Sequence, residues 1–111
     1  WFTDADVDVY ASEYGRTGFQ GGLNGYRRGL DPRNNAELLT FAGRTIDVPS
    51  VFISGKSDWG VYQTPGAAEN MRTKACTKMT GFHLVEGAGH WVQQEQPAET
   101  VRLLEEFLAG L

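Results

Sequence analysis

Two short apolar runs, VFIS at 51–54 and FHLVE at 82–86, set the main constraint on this chain. Both are rich in β-branched or aromatic residues and both stop at a glycine, so they read as strands. The first, with Pro49 delaying its start, has the continuous apolar character of a buried strand. Between them lies TPGAAENMRTKACTKM, a helical stretch with Pro65 suited to its first turn. After the second comes PAETVRLLEEFLAGL, the clearest helix in the chain. Pro97 starts it, Val101, Leu104 and Leu108 form one apolar stripe, and Leu103 and Phe107 widen that stripe. The order from residue 51 onward is strand, helix, strand, helix. Crossovers of this length join parallel strands. A parallel pair has two faces to cover and two edges to pair, which two strands and a few helices do not manage alone. The expectation is an α/β fold, incomplete as a domain, whose missing strands lie before Trp1 or in another chain.

The first 45 residues have a different character. Thr3 and Asp6 have capping-box spacing, and Val7, Tyr10, Ala11 and Tyr14 recur at helical intervals. Gly18 is a natural stop, so a helix is predicted over 4–16. The following GFQGGLNGYRRGLDP is too glycine-rich for a long helix and predicts only a short turn around 23–28. NNAELLTFA at 34–42 reads as another short helix. The two TGF triplets are read as helix ends rather than as a repeat. A boundary at 45/46 divides the chain, with 1–45 and 46–111 as its two parts. The start on Trp1, two residues before a helix signal, reads as an excised segment.

Ligands of parallel α/β sheets bind at the carboxyl ends of the strands. Two loops leave that edge: GKSDWG with Asp58 and GAGHW with His90. Neighbouring strands lie roughly 5 Å apart, which brings the Asp58 carboxylate within reach of the His90 ring. A carboxylate on one ring nitrogen fixes the tautomer and stabilises the imidazolium formed when the other nitrogen takes a proton. That is two-thirds of a nucleophile–histidine–acid triad. In the α/β-hydrolase chain order the acid and the histidine come last, in this sequence.

Three stretches, TDADVDVYASEYGRTGFQGGLNGYRR, SGKSDWG and EGAGHWVQQEQP, together resemble the C-terminal part of an α/β-hydrolase-fold epoxide hydrolase of the soluble type. The resemblance spans nearly the whole chain, and GFQGGLNGYR is its most specific piece. It implies the end of a helical cap over 1–45 and, over 46–111, the last two parallel strands of the hydrolase core with their helices. It also implies roles: His90 as general base, Asp58 as its charge-relay acid, and Tyr26 as the cap tyrosine whose hydroxyl faces the epoxide oxygen. In such enzymes an aspartate opens the epoxide as an ester, and the histidine pair activates water to hydrolyse it. A phenol with a pKa near 10 stays protonated at neutral pH and can donate to a developing alkoxide. The resemblance places the nucleophile, the oxyanion-hole stretch and a second cap tyrosine before Trp1. The segment alone is accordingly expected to be inactive and poorly folded. Gly25 stands where relatives often carry an aromatic, which opens the pocket wall. The implied partners are a small apolar epoxide, water and the remainder of the hydrolase chain.

Other readings stay open beside this one. An ester, haloacid or carbon–carbon-bond hydrolase uses the same histidine and acid with a different nucleophile. A non-catalytic small-molecule-binding protein can retain the triad on the same scaffold. Phe19, Leu23, Trp59 and Trp91 are candidates to line an apolar pocket, set against the ordinary reading of such residues as core. His83 falls inside a strand, and its spacing from His90 matches no helical metal motif, so neither a metal nor another cofactor is expected. The net charge of −4, with basic residues scattered, excludes a nucleic-acid partner. No apolar run approaches the roughly 20 residues of a membrane span. The single cysteine, Cys76, reads as an inert side chain on a helix and fits a reducing, cytoplasmic compartment. No pattern in the chain specifies an oligomer.

Overall fold

The computed structural model describes residues 1–31, 33 and 36–111. The chain forms two compact units, Trp1–Gly43 and Arg44–Leu111. The first contains helices α1 (Asp4–Thr17) and α2 (Gln20–Leu30), followed by a 3-10 turn over Glu37–Phe41. The second runs β1 (Ser50–Gly55), α3 (Trp59–Tyr62), α4 (Ala67–Asn70), a π turn (Met71–Ala75), β2 (Met79–Val85), α5 (Val92–Glu95) and α6 (Pro97–Ala109).

Helix α1 starts as its sequence requires. The Asp6 amide donates to Thr3 Oγ1 (3.3 Å) and the Thr3 amide donates back to Asp6 Oδ2 (2.8 Å), a reciprocal capping box. Gly18, at φ 68°, ends the helix in a conformation that favours glycine. The expectation of a mere turn in the next stretch was wrong: α2 runs for 11 residues through four glycines. Contacts from outside and within the helix offset the glycine penalty. Tyr14 reaches α2, its hydroxyl 3.4 Å from where a Cβ at Gly22 would sit, and stacks on Phe19 with ring centroids 4.5 Å apart. Gln20 Nε2 also donates to Asn24 Oδ1 one turn on (3.2 Å). Of the predicted helix over 34–42, Asn34 and Asn35 lie outside the described residues, and the rest forms only the 3-10 turn.

In the second unit β1 and β2 pair in parallel, with Phe52 opposite Phe82, Ile53 opposite His83 and Gly55 opposite Val85. The two phenyl rings stack at 4.9 Å across the pair. Strand β2 begins earlier than its sequence indicated and takes in the second TGF triplet, which therefore does not mark a helix end. Gly81 allows this. A Cβ there would sit 2.5 Å from His83 Nε2 and 3.2 Å from Val51 Cγ2.

The crossover is more broken than the single helix expected. Helix α4 gives way to the π turn, closed by Cys76 N–H donating to Met71 O (3.0 Å). The turn releases Ala75 and Cys76 to pair with Ile46: its amide donates to Ala75 O (2.7 Å) and its carbonyl accepts from Thr77 (3.0 Å). Cys76 is thereby buried beyond the helix rather than on it.

Helix α6 begins at Pro97 as predicted, and of its predicted apolar stripe only the widened edge is covered. Leu103 and Thr100 are buried while Val101, Leu104 and Leu108 are exposed. Leu103 joins Val85 and Ala88 in the apolar core, against which Ile53 and Val92 pack. The Val101, Leu104 and Leu108 line of the stripe does not close this core, because contact with β2 and its loop selects the Leu103 side.

Candidate active site

The two loops at the carboxyl ends of β1 and β2 are joined mainly through their backbones. Lys56 N–H donates to Val85 O (2.8 Å) and Ser57 N–H donates to Ala88 O (3.0 Å). Gly55 makes the approach possible. A Cβ at Gly55 would lie 2.1 Å from Gly89 O and 2.4 Å from Ala88 O, inside the backbone of the histidine loop. Gly87, at φ 70°, turns the chain out of β2 towards that contact. An exposed Lys56–Glu86 ion pair lies across the same junction.

This junction brings Asp58 and His90 together. His90 Nδ1 lies 3.2 Å from both Asp58 Oδ1 and Oδ2. The acid side chain is 10% exposed and the imidazole 60% exposed, so the pair joins a buried carboxylate to an open ring. In the tautomer whose Nδ1–H donates to the carboxylate, Nε2 is the nitrogen with the free lone pair. Trp91 meets the ring edge-on at 5.2 Å.

Two residues absent from the sequence reading complete the acid. Gly60 N–H donates to Asp58 Oδ1 (2.9 Å), and the buried Ser54 hydroxyl donates to Oδ2 (3.1 Å). The Gly60 amide, with the His90 ring and the Ser54 hydroxyl, holds the Asp58 carboxyl below the usual carboxylate range against the opposing effect of burial. Asp58 also caps α3, so one side chain both closes that turn and meets the His90 ring. Ser54 was visible in the sequence only as the last residue of VFIS. Its alignment with a residue four positions on depends on the turn after Gly55.

Tyr26 stands on α2 in the first unit, 74% exposed, beside a shallow apolar hollow lined by Gly25, Tyr26, Gly29 and Leu30. The four candidate pocket residues, Phe19, Leu23, Trp59 and Trp91, are all exposed within this chain, so none serves as its core. His83 lies in β2 opposite Ile53 and takes no part in the pair. Among the described residues, no group of three or more histidine, cysteine and acidic side chains is arranged to hold a metal. Among them, too, no helix is long and apolar enough to cross a membrane.

Geometry of this kind can be set beside known proteins. No protein-family model matches the chain. Epoxide hydrolase A of Mycobacterium tuberculosis is 42% identical over 114 residues, covering all of this chain and 33% of the relative. Among solved structures, potato epoxide hydrolase I superposes with a TM-score of 0.84 at 32% identity, over 100% of this chain and 35% of that one. Epoxide hydrolase A from Mycobacterium thermoresistibile matches at 0.78 and 39% identity, over 98% of this chain and 33% of its own. The chain is homologous to the C-terminal part of the α/β-hydrolase-fold epoxide hydrolases. It spans about a third of the length of the curated relatives it matches. The two parallel strands with their helices are the corresponding portion of the hydrolase sheet, a partial domain.

Proposed function

We propose that the full-length protein carrying this sequence is an epoxide hydrolase that converts a small apolar epoxide and water to a vicinal diol through a covalent ester. The observation that carries this reading is the largely exposed His90 imidazole held through Nδ1 by the buried Asp58 carboxylate. Residues 1–45 are the end of the cap, and residues 46–111 are the end of the core that supplies the hydrolytic pair. The nucleophilic carboxylate comes from sequence outside residues 1–111, so this segment alone is inactive.

In the first step that carboxylate attacks one epoxide carbon. A ring C–O bond breaks, an ester C–O bond forms, and the Tyr26 phenol protonates the alkoxide. In the second step His90 Nε2 takes a proton from water while the hydroxide adds to the ester carbonyl. Asp58 stabilises the imidazolium that results. The ester C–O bond then breaks, releasing the diol and the free carboxylate, and the proton on His90 replaces the one given up by Tyr26. Phe19, Leu23, Trp59 and Trp91 are proposed to contact the apolar part of the substrate.

The test is turnover of styrene oxide by the full-length protein and its His90→Gln variant. The variant is expected to lose roughly 10²–10⁴-fold in diol formation while an adduct of one substrate mass accumulates on the protein. Turnover of esters but not epoxides would replace this reading with another hydrolase. Tight binding of small ligands without any turnover would point to a non-catalytic receptor.

A further inference from the structure

The backbone on either side of His90 is held by a carboxylate that the proposed chemistry does not use. Glu95 Oε2 accepts from Gly89 N–H at 2.8 Å, and Oε1 accepts from Trp91 N–H at 3.0 Å. The two oxygens of one side chain thus bracket the histidine at positions 89 and 91. Charge-assisted bonds of this kind are roughly twice as strong as neutral ones. A carboxylate is also the one side-chain group with two acceptors spaced for two backbone amides. The carboxylate packs close to the backbone it holds. A Cβ at Gly89 would lie 3.3 Å from Oε1 and 3.5 Å from Oε2. Gly89 O also rests against Gly55, where a Cβ would be only 2.1 Å away.

Gly89 is therefore held between the end of β1 and the Glu95 carboxylate, and Trp91 is tied to the same carboxylate. Glu95 itself is fixed at the end of α5, where its amide donates to Trp91 O (2.9 Å). With both neighbours fixed, the His90 backbone has one placement. The ring then needs only rotation about its own side-chain bonds to meet Asp58. We infer that Glu95 is a positioning residue that sets the reach of His90 towards the hydrolytic water. This rests on the reading of His90 as the base of ester hydrolysis. Glu95 touches neither substrate nor the reacting atoms, and it acts through the loop.

The role assigns Glu95 to one half of the reaction. Ring opening uses the nucleophile and Tyr26, whereas ester hydrolysis uses His90. A displacement near 1 Å in a catalytic group costs on the order of 10²-fold. Glu95→Gln preserves volume but presents one acceptor and one N–H₂ group to two N–H donors, so one of the two bonds must be lost. In the full-length protein with styrene oxide, Glu95→Gln is expected to slow ester hydrolysis by roughly 10–100-fold with ring opening changed by less than about twofold. Covalent adduct then accumulates and is read by intact-protein mass spectrometry. Amide hydrogen exchange is expected to rise at whichever of Gly89 and Trp91 comes to face the N–H₂ group.

Thr100→Val is the control for stability alone. The Thr100 hydroxyl donates to Gln96 O (2.9 Å) and Val92 O (3.2 Å) at the α5–α6 junction, and makes no bond to Gly89, His90, Trp91 or the Glu95 carboxylate. It is expected to lower the melting temperature without accumulating ester. Where Glu95→Gln fails to fold, Gly89→Ala serves instead, since its Cβ displaces the carboxylate by a few tenths of an ångström. It is expected to act in the same direction more weakly. A variant that partitions between the two steps as the wild type does, or as Thr100→Val does, overturns the inference. If the wild type turns over no epoxide, the proposed function fails but the clamp is still decided by exchange. Faster exchange at either amide in Glu95→Gln upholds it, and unchanged exchange at both overturns it.

Discussion

In Trp1–Gly43 every described side chain except Asp31 is exposed, and the helices are held by neighbours in sequence: the Thr3–Asp6 box, the Gln20–Asn24 bond and the Tyr14–Phe19 stack. In Arg44–Leu111 the decisive contacts join residues about 30 positions apart. Lys56 meets Val85, Ser57 meets Ala88, and Asp58 meets His90. The glycines show the contrast most clearly. Gly55 and Gly81 sit where a Cβ would enter another group, whereas Gly21, Gly25 and Gly29 face open space. In one region glycine is a packing requirement. In the other it is a conformational cost, and the apolar side chains remain uncovered within the chain. The proposed chemistry needs sub-ångström placement of Asp58 and His90, and it rests on the first kind of region.

The largest effect that would test this contrast is at Gly55. Gly55→Ala places a methyl group inside the backbone of the histidine loop, with no flexible side chain to move aside. The loops must separate, which breaks the Ser57–Ala88 bond and withdraws His90 from Asp58. The expected cost is about 3 kcal/mol of unfolding free energy, read by urea denaturation of the full-length protein, with loss of hydrolysis in parallel. A variant as stable as the wild type would show that the backbone approach is not what holds the site.

The acid–histidine pair was legible in the sequence because its signal is topological. Two strands that end in glycine and are joined by a helical crossover must lie parallel, and their following loops then share an edge. The α6 start was legible from Pro97 and the α1 start from Thr3, since capping chemistry is local. What failed depended on contacts distant in sequence. Helix α2 looked too rich in glycine because the Tyr14 ring that packs on it does not show in its own composition. The buried face of α6 could not be chosen from periodicity alone, because Leu103 and Leu104 are equivalent until β2 is in place. Ser54 and Glu95 act on the site through turns whose closure no spacing rule describes.

Ser54→Ala sharpens the comparison within the second region by separating an electrostatic contribution from a packing one. The Gly60 amide, the His90 ring and the Ser54 hydroxyl together depress the Asp58 carboxyl. A carboxyl whose folded pKa lies below its unfolded value of about 3.9 contributes stability that is fully present above that pH. The contribution is lost as pH falls through the folded value. Removing the Ser54 hydroxyl moves the folded value back towards the unfolded one. The variant is therefore expected to be less stable than the wild type at neutral pH, and the gap should narrow below about pH 4. Denaturation at a series of pH values measures this. A gap of constant size would mean that the serine is only a packing group.

The smallest effect expected is a gain, and it belongs to the first region. Gly25 lies in the middle of α2, and a Cβ there meets nothing within 4 Å. Glycine in a helix interior is less favourable than alanine by about 0.5–1 kcal/mol, since it gives up more backbone freedom on folding. With no contact to disturb, Gly25→Ala raises stability by about that amount, read from the urea midpoint of the full-length protein at unchanged slope. The same substitution puts a methyl group at the rim of the hollow beside Tyr26. A loss of stability instead would show that a segment outside these 111 residues packs against the glycine face of α2. The glycines of the first region would then be packing requirements like those of the second, and the contrast between the two would disappear.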